Sequence, residues 1–182
     1  MRELKFHEKK LLKKVDFLQW KGDSTLREVQ VMRRYHLQKR DDYMMYNRLC
    51  GQIRKLANRI SLLDPRDPFR AEKTDALLEK LYQMGLITSA KKGLSEADKV
   101  TVSAFCRRRL PLVLCRLKMS ETVKQAVTLV EQGHVRVGPE TITDPAYLVN
   151  RNMEDFVTWV DTSKIRRKVA TYNDQLDDYD IM

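Results

Sequence analysis

The hydrophobic period of this chain changes once, and late. As far as Gln132, apart from a short connection over residues 86–94, apolar residues recur every three or four positions and so line one side of a helix. A period of two, which puts alternate side chains on opposite faces of a strand, begins only after Gly133. Such a chain folds as helices first and a small β unit second. The expected class is α+β, a mostly helical N-terminal domain followed by a module of two helices and a short β unit.

Leu4, Leu11, Val15 and Leu18 are spaced by seven, four and three beside Lys9, Lys10, Lys13 and Lys14, which predicts a basic amphipathic helix over residues 4–20. Gly22 and Asp23-Ser24 interrupt it. Its apolar side chains, Leu4, Leu11, Leu12, Val15 and Leu18, are candidates for docking on a partner; lying along RNA phosphates or packing on its own domain are the other uses. Tyr43, Tyr46, Cys50, Ile53, Ala57 and Ile60 predict a long helix over residues 41–62, stopped by Asp64-Pro65. Asp67 then reads as an N-cap with Pro68 at the first helical position. Leu77, Leu78, Leu81 and Met84 follow, and Gly85 supplies a left-handed stop.

From Thr101, the set Cys106, Leu110, Val113, Leu114 and Leu117 is again helical, with Arg107, Arg108, Arg109 and Arg116 around it. Pro111 either kinks this helix or starts a new one. Ser120 is the expected N-cap of a helix over residues 121–132 that carries Val123, Ala126, Val127 and Val130 and ends at Gly133. Val135-Arg136-Val137 reads as a strand, Gly138-Pro139 as a turn, and Thr141-Ile142-Thr143 as its partner. Asp144-Pro145 breaks that strand before Tyr147-Leu148-Val149 extends again. The expected divisions are residues 1–22 for the basic helix, 23–98 for the helical domain, 99–170 for the module with a C-terminal extension, and 171–182 for an acidic tail.

A net charge of +10 points to a polyanionic partner, and its distribution narrows the choice. Residues 1–60 hold sixteen Lys/Arg against seven Asp/Glu, residues 61–100 seven of each, and residues 101–136 seven bases against Glu121 and Glu131 alone. The last acids, Asp174, Asp177, Asp178 and Asp180, collect at the end. No apolar run approaches the ~20 residues that cross a bilayer, and residues 1–14 are too charged for a secretory signal, so no membrane partner is expected. Cys50, Cys106 and Cys115 form no CxxC pair and sit in apolar patterns, as buried free thiols do. His7, His36 and His134 lack ligand spacing, so neither a metal nor another cofactor is expected. No glycine-rich nucleotide loop or Ser/His/Asp set suggests catalysis or a small-molecule substrate.

Arg108-Arg109-Leu110, residues 117–120, Ala126 and the run from Gln132 to Val137 together resemble the ribosomal-protein S4 type of RNA-binding domain. That resemblance implies a helix-turn-helix followed by a hairpin, the αL motif. The family pattern ends in Val-Asn-Gly, whereas this chain has Val137-Gly138-Pro139. Residues 64–69, 81–86, 11–18, 20–21, 99–104, 107–111 and 152–155 extend the likeness over nearly the whole chain. Residues 64–69 and 81–86 resemble the eukaryotic small-subunit ribosomal protein of the family, and the closer resemblance, including the other strings, is to the branch found in the U3 small nucleolar ribonucleoprotein. The resemblance implies a non-enzymatic nucleolar assembly factor of the small-subunit processome. It would help U3 snoRNA pair with pre-rRNA for early rRNA processing, with an M-phase phosphoprotein scaffold subunit and an Imp-four companion protein as partners. The expected RNA contacts are Arg107, Arg108, Arg109, Arg116, Lys118, Ser120, Lys124, His134 and Arg136, through charge-assisted phosphate bonds and an open helix N-terminus. Charge reversal at Arg107, Arg108 and Arg109 is expected to weaken RNA binding and leave the helices intact.

Three other readings compete. A ribosomal protein of the mature small subunit is the first, against which the acidic end of the chain argues. An enzyme carrying this domain type is the second, and a pure protein adaptor working through its first helix is the third.

Overall fold

The computed structural model describes residues 2–14 and 22–175. The helical part runs through α1 (Phe6–Lys14), α2 (Gly22–Arg34), α3 (Arg40–Ser61), α4 (Pro68–Gln83), α5 (Leu94–Asp98) and α6 (Val102–Arg107). Helix α2 occupies the stretch where the sequence predicts an interruption. Among the described side chains of α2, Val31 and Met32 pack on the core. It closes at His36 in the left-handed region (φ 50°), with Leu37 N–H donating to Met32 O at 3.0 Å. Arg40 Nε then donates to Glu28 Oε1 at 2.6 Å, tying α2 to the start of α3 and holding the Arg40 pKa above its ordinary value.

Helix α3 buries Tyr46, Cys50, Ala57 and Ile60, four of the six residues whose spacing predicts it. Asp67 caps α4 as expected, its side chain accepting from Phe69 N–H at 2.9 Å, with Pro68 in the first turn. Gly85 (φ 73°) ends that helix. Leu78, Leu81, Ala97 and Val100 close the helical core together with Phe105 and Cys106 of α6, and Tyr46 stacks on Phe105 at 5.5 Å between ring centroids. The last turn of α6 therefore packs with the helical half of the molecule.

The second core starts at Leu110. Helix α7 (Leu110–Arg116) opens afresh with Pro111 in its first turn, where the missing N–H costs no hydrogen bond. Helix α8 (Val123–Glu131) follows, then β1 (Val135–Val137), β2 (Glu140–Thr141), α9 (Arg151–Glu154), β3 (Val157–Trp159) and α10 (Lys164–Tyr172). Leu110, Val113, Leu114, Ala126, Val130, Val135, Val137, Val149 and Val157 form one buried cluster. The sheet is antiparallel in the order β2-β1-β3, with Val137 opposite both Glu140 and Val157. Val135 and Val137 point into the cluster and Arg136 away from it.

Two local expectations need correction. Thr122, not Ser120, caps α8: its hydroxyl accepts from Gln125 N–H at 3.3 Å. The partner strand of β1 is confined to Glu140–Thr141, after which Ile142 packs on the core with its N–H donating to Val135 O at 3.2 Å. Tyr147-Leu148-Val149 extends as expected, outside the sheet. It pairs instead with the corner between α6 and α7, Leu110 N–H donating to Tyr147 O and Val149 N–H to Arg108 O at 2.9 and 2.8 Å. The sheet takes its third strand from Val157–Trp159. No helix among the described residues is long and apolar enough to cross a membrane.

Candidate nucleic-acid interface

Helix α6 ends at Arg107 and α7 begins at Leu110, so Arg107, Arg108 and Arg109 turn the corner between the two cores. Successive side chains at such a corner leave in different directions, and here only Arg107 leaves toward solvent. Arg108 is 5% exposed. Its Nε and Nη2 donate to Val149 O at 2.8 and 2.6 Å, and its Nη1 donates to Glu154 Oε2 at 3.0 Å. Arg109 is 2% exposed, with Nη1 donating to Asp42 Oδ2 at 2.7 Å and to Tyr46 Oη at 3.3 Å. Burial holds the Tyr46 phenol above its ordinary pKa, so it stays protonated beside this pair.

The placement of Arg108 and Arg109 in an RNA contact is thus corrected. A guanidinium enclosed on all sides and bonded to a carboxylate reaches a phosphate only by breaking the fold. Arg109 joins the module to the helical half by spanning to α3, and Arg108 fastens Val149 and α9 within the module. Arg108 also presses on Gly85, where an added Cβ would lie 2.7 Å from its Nε. Arg151 makes a further link, its guanidinium 4.2 Å from the Tyr82 ring centroid and its Nη2 donating to Ile87 O at 2.7 Å.

Ser120 is corrected as well. It is 8% exposed and its Oγ lies 3.3 Å from Cys115 Sγ, so neither its hydroxyl nor a helix start at that point faces a phosphate. Arg116 is half exposed but pairs with Glu154, which it shares with Arg108. His134 is half-buried, with Nδ1 hydrogen-bonded to Ser163 Oγ at 3.0 Å. Arg136 donates to Thr158 Oγ1 at 3.0 Å and to Asp161 Oδ2 at 2.7 Å.

Arg107, Lys118 and Lys124 are what remains: exposed, with no side-chain hydrogen bond or ion pair among the described residues. Lys118 is the most constrained of them. It sits at φ 59°, closing α7 with its N–H on Cys115 O (3.2 Å) while Met119 N–H donates to Leu114 O (3.0 Å). A side chain in that conformation costs about 1–2 kcal/mol where glycine would cost nothing. Lys124 lies in the first turn of α8, the positive end of the helix dipole. Lys124 thereby adds an unpaired ammonium group to the start of α8, an arrangement that favours an anion there.

Away from the module, Leu4 just before α1 and Phe6, Leu11 and Leu12 within it are exposed. Val15 and Leu18 lie outside the described residues, as do Asp177, Asp178 and Asp180 of the acidic end. Cys50 and Cys106 are buried, and burial pushes the Cys106 thiol up to about 11; Cys115 is half-buried. The sequence reading missed the basic face of α10, although Lys164, Arg167 and Lys168 carry the helical spacing of three and four that reveals it.

Residues 3–107 match the family model described as the ribosomal protein S4/S9 N-terminal domain, and residues 108–155 match the S4 domain. The two helices, corner and sheet therefore define an S4-domain protein with the N-terminal helical partner of that domain. The U3 small nucleolar ribonucleoprotein protein IMP3 of Saccharomyces cerevisiae is 61% identical over 180 residues, covering 99% of this chain and 98% of that protein. The protein of the same name from Homo sapiens is 56% identical over 182 residues, covering 100% and 98%. Small ribosomal subunit protein uS4 of Metallosphaera sedula is 28% identical over 152 residues, covering 84% and 83%. The chain belongs to the family of U3 small nucleolar ribonucleoprotein protein IMP3.

Proposed function

We propose that this chain is an RNA-binding assembly factor of the U3 small nucleolar ribonucleoprotein. In this reading it acts in the nucleolus and promotes pairing of U3 snoRNA with pre-rRNA for early processing of small-subunit rRNA. The observation that carries the reading is the division of cations on the S4 module. Arginines with carboxylates hold the fold, while Arg107, Lys118 and Lys124 are left without any.

Each unpaired cation can neutralise a phosphate and release a counterion, which lowers the repulsion that slows two RNA strands from meeting. Structured RNA is met mostly through its backbone and shape, so a few fixed cations suffice without base-specific contacts. No bond is made or broken in this role, and the chain contributes binding energy and geometry alone. Helix α1, with its exposed leucines and Phe6, suits docking on an M-phase phosphoprotein scaffold subunit, with an Imp-four protein as companion.

The test is annealing of labelled U3 snoRNA and pre-rRNA fragments with and without the protein. Wild type is expected to accelerate pairing, and the combined change of Arg107, Lys118 and Lys124 to Gln to remove most of the acceleration. Equal rates for the two proteins sink the reading. The likeness to protein uS4 favours a second reading, a constituent of the mature small subunit. Sedimentation separates them, since accumulation in mature subunits rather than in precursor particles supports the second.

A further inference from the structure

Helix α10 lies beyond residue 155, where the match to the S4 domain stops. It carries Lys164, Arg166, Arg167 and Lys168 and no acid, and none of its residues is buried. At 100° per residue Lys164, Arg167 and Lys168 share one side. None of the three has a hydrogen bond or ion pair to a carboxylate among the described residues. Tyr172, four positions past Lys168, sits near the end of the same side and is 88% exposed.

The helix is nonetheless firmly placed. Ser163 is 4% exposed; its Oγ accepts from Ile165 N–H at 3.2 Å and is hydrogen-bonded to His134 Nδ1 at 3.0 Å. Val160 N–H donates to His134 O at 3.0 Å, so the start of α10 is fixed against the start of β1. Asp161, beside that junction, pairs with both Arg136 of β1 and Arg166 of α10 while remaining 58% exposed. One rim carboxylate thus occupies two guanidinium groups that a phosphate would otherwise attract.

We propose that α10, with Arg136, is a second RNA-binding surface, which takes the phosphate backbone of an RNA strand on Lys164, Arg167 and Lys168 and an unpaired base on Tyr172. Cations at spacings of three and four stand about 5–6 Å apart on a helix, close enough to follow consecutive phosphates of one strand. An exposed phenol ring in line with them supplies the stacking face that single-stranded nucleic acid uses without regard to sequence. A strand with unpaired bases beside a duplex is the ligand chemistry that combines both features. Asp161 acts as an internal competitor, holding Arg136 and Arg166 until phosphate displaces it.

The proposal rests on the RNA-binding reading, and the two are separated by parallel variants of the full chain. Binding to a U3 snoRNA transcript is measured by fluorescence anisotropy across a salt series. K164Q/R167Q/K168Q is expected to bind at least tenfold more weakly, with the slope of log affinity against log salt reduced by about 2–3. Y172A is expected to lose about fivefold or more. D161N, which frees two arginines, is expected to bind more tightly and with a steeper slope. Charge-preserving K164R/K168R should keep wild-type affinity, and melting temperatures should match throughout. Unchanged affinity and slope in K164Q/R167Q/K168Q overturn the inference. So does a variant that keeps RNA affinity and loses only a protein partner. If wild type binds no RNA, the underlying reading fails too; if wild type binds and only the α10 changes are silent, the inference alone falls.

Discussion

The S4 module and the corner before it carry two sets of cations that do opposite work. Arg108 and Arg109 are enclosed and bonded to Glu154, Val149 O, Asp42 and Tyr46. The side chains of Arg107, Lys118 and Lys124 stand in water with no partner among the described residues. Arg107 and Arg108 are the same residue type and neighbours in sequence, so composition says nothing about which is which. Burial decides. A desolvated guanidinium needs a carboxylate fixed within the fold, whereas a solvated one stays available for an anion from outside.

That contrast is broken or sharpened first at the buried side. Arg109→Ala strands Asp42 and the Tyr46 hydroxyl, and Arg108→Ala strands Val149 O. Each is expected to cost about 3–5 kcal/mol in chemical denaturation. Loss of less than about 1 kcal/mol in either would mean the pair is not holding the two cores together. Charge reversal at these positions is therefore expected to unfold the protein, and only at Arg107 to test RNA binding.

Gly85→Ala is expected to cost less, about 1–3 kcal/mol, because it combines a left-handed backbone with a Cβ forced against Arg108 Nε. Thermal melting of G85A alone, R108A alone and the double variant checks the link. The two losses should add to less than their sum, since removing Arg108 clears the space the new Cβ needs.

The smallest effect on stability, and the most diagnostic, is expected on the exposed side. Lys118→Gly relieves an unfavourable backbone conformation while deleting a cation. Its stability should be unchanged or raised by up to about 1 kcal/mol, the backbone gain being partly offset by a freer unfolded chain. Its RNA affinity should fall, with a salt slope shallower by about 0.7–0.9. Stability and binding moving in opposite directions at one residue would mark Lys118 as kept for its charge; wild-type affinity in K118G would remove it from the interface.

Helix ends were the most legible feature. Asp67-Pro68, Gly85 and Gly133 act on backbone groups within four residues, and the structure uses all three as their chemistry demands. Ser120 shows where such local logic fails. It satisfies the rules for an N-cap, but the chain needs two more residues to leave the α7 turn, and Thr122 takes the role while Ser120 is buried against Cys115. The candidate site was less legible than the fold. Of its nine expected residues, Arg107, Lys118 and Lys124 are free and exposed, whereas Arg116, His134 and Arg136 are engaged within the protein and Arg108, Arg109 and Ser120 are buried.

By itself the sequence determined that helices precede a small β unit, the cap at Asp67 and the glycine stops, and membership of the S4-domain class, because these depend on neighbours a few residues apart. Only the tertiary structure decided which of three consecutive arginines faces water. Asp42 lies 67 positions from Arg109, and Glu154 lies 46 from Arg108. No local period relates residues so far apart. The α6–α7 corner brings them together, and the cost of burying an unpaired charge then settles the direction of each side chain.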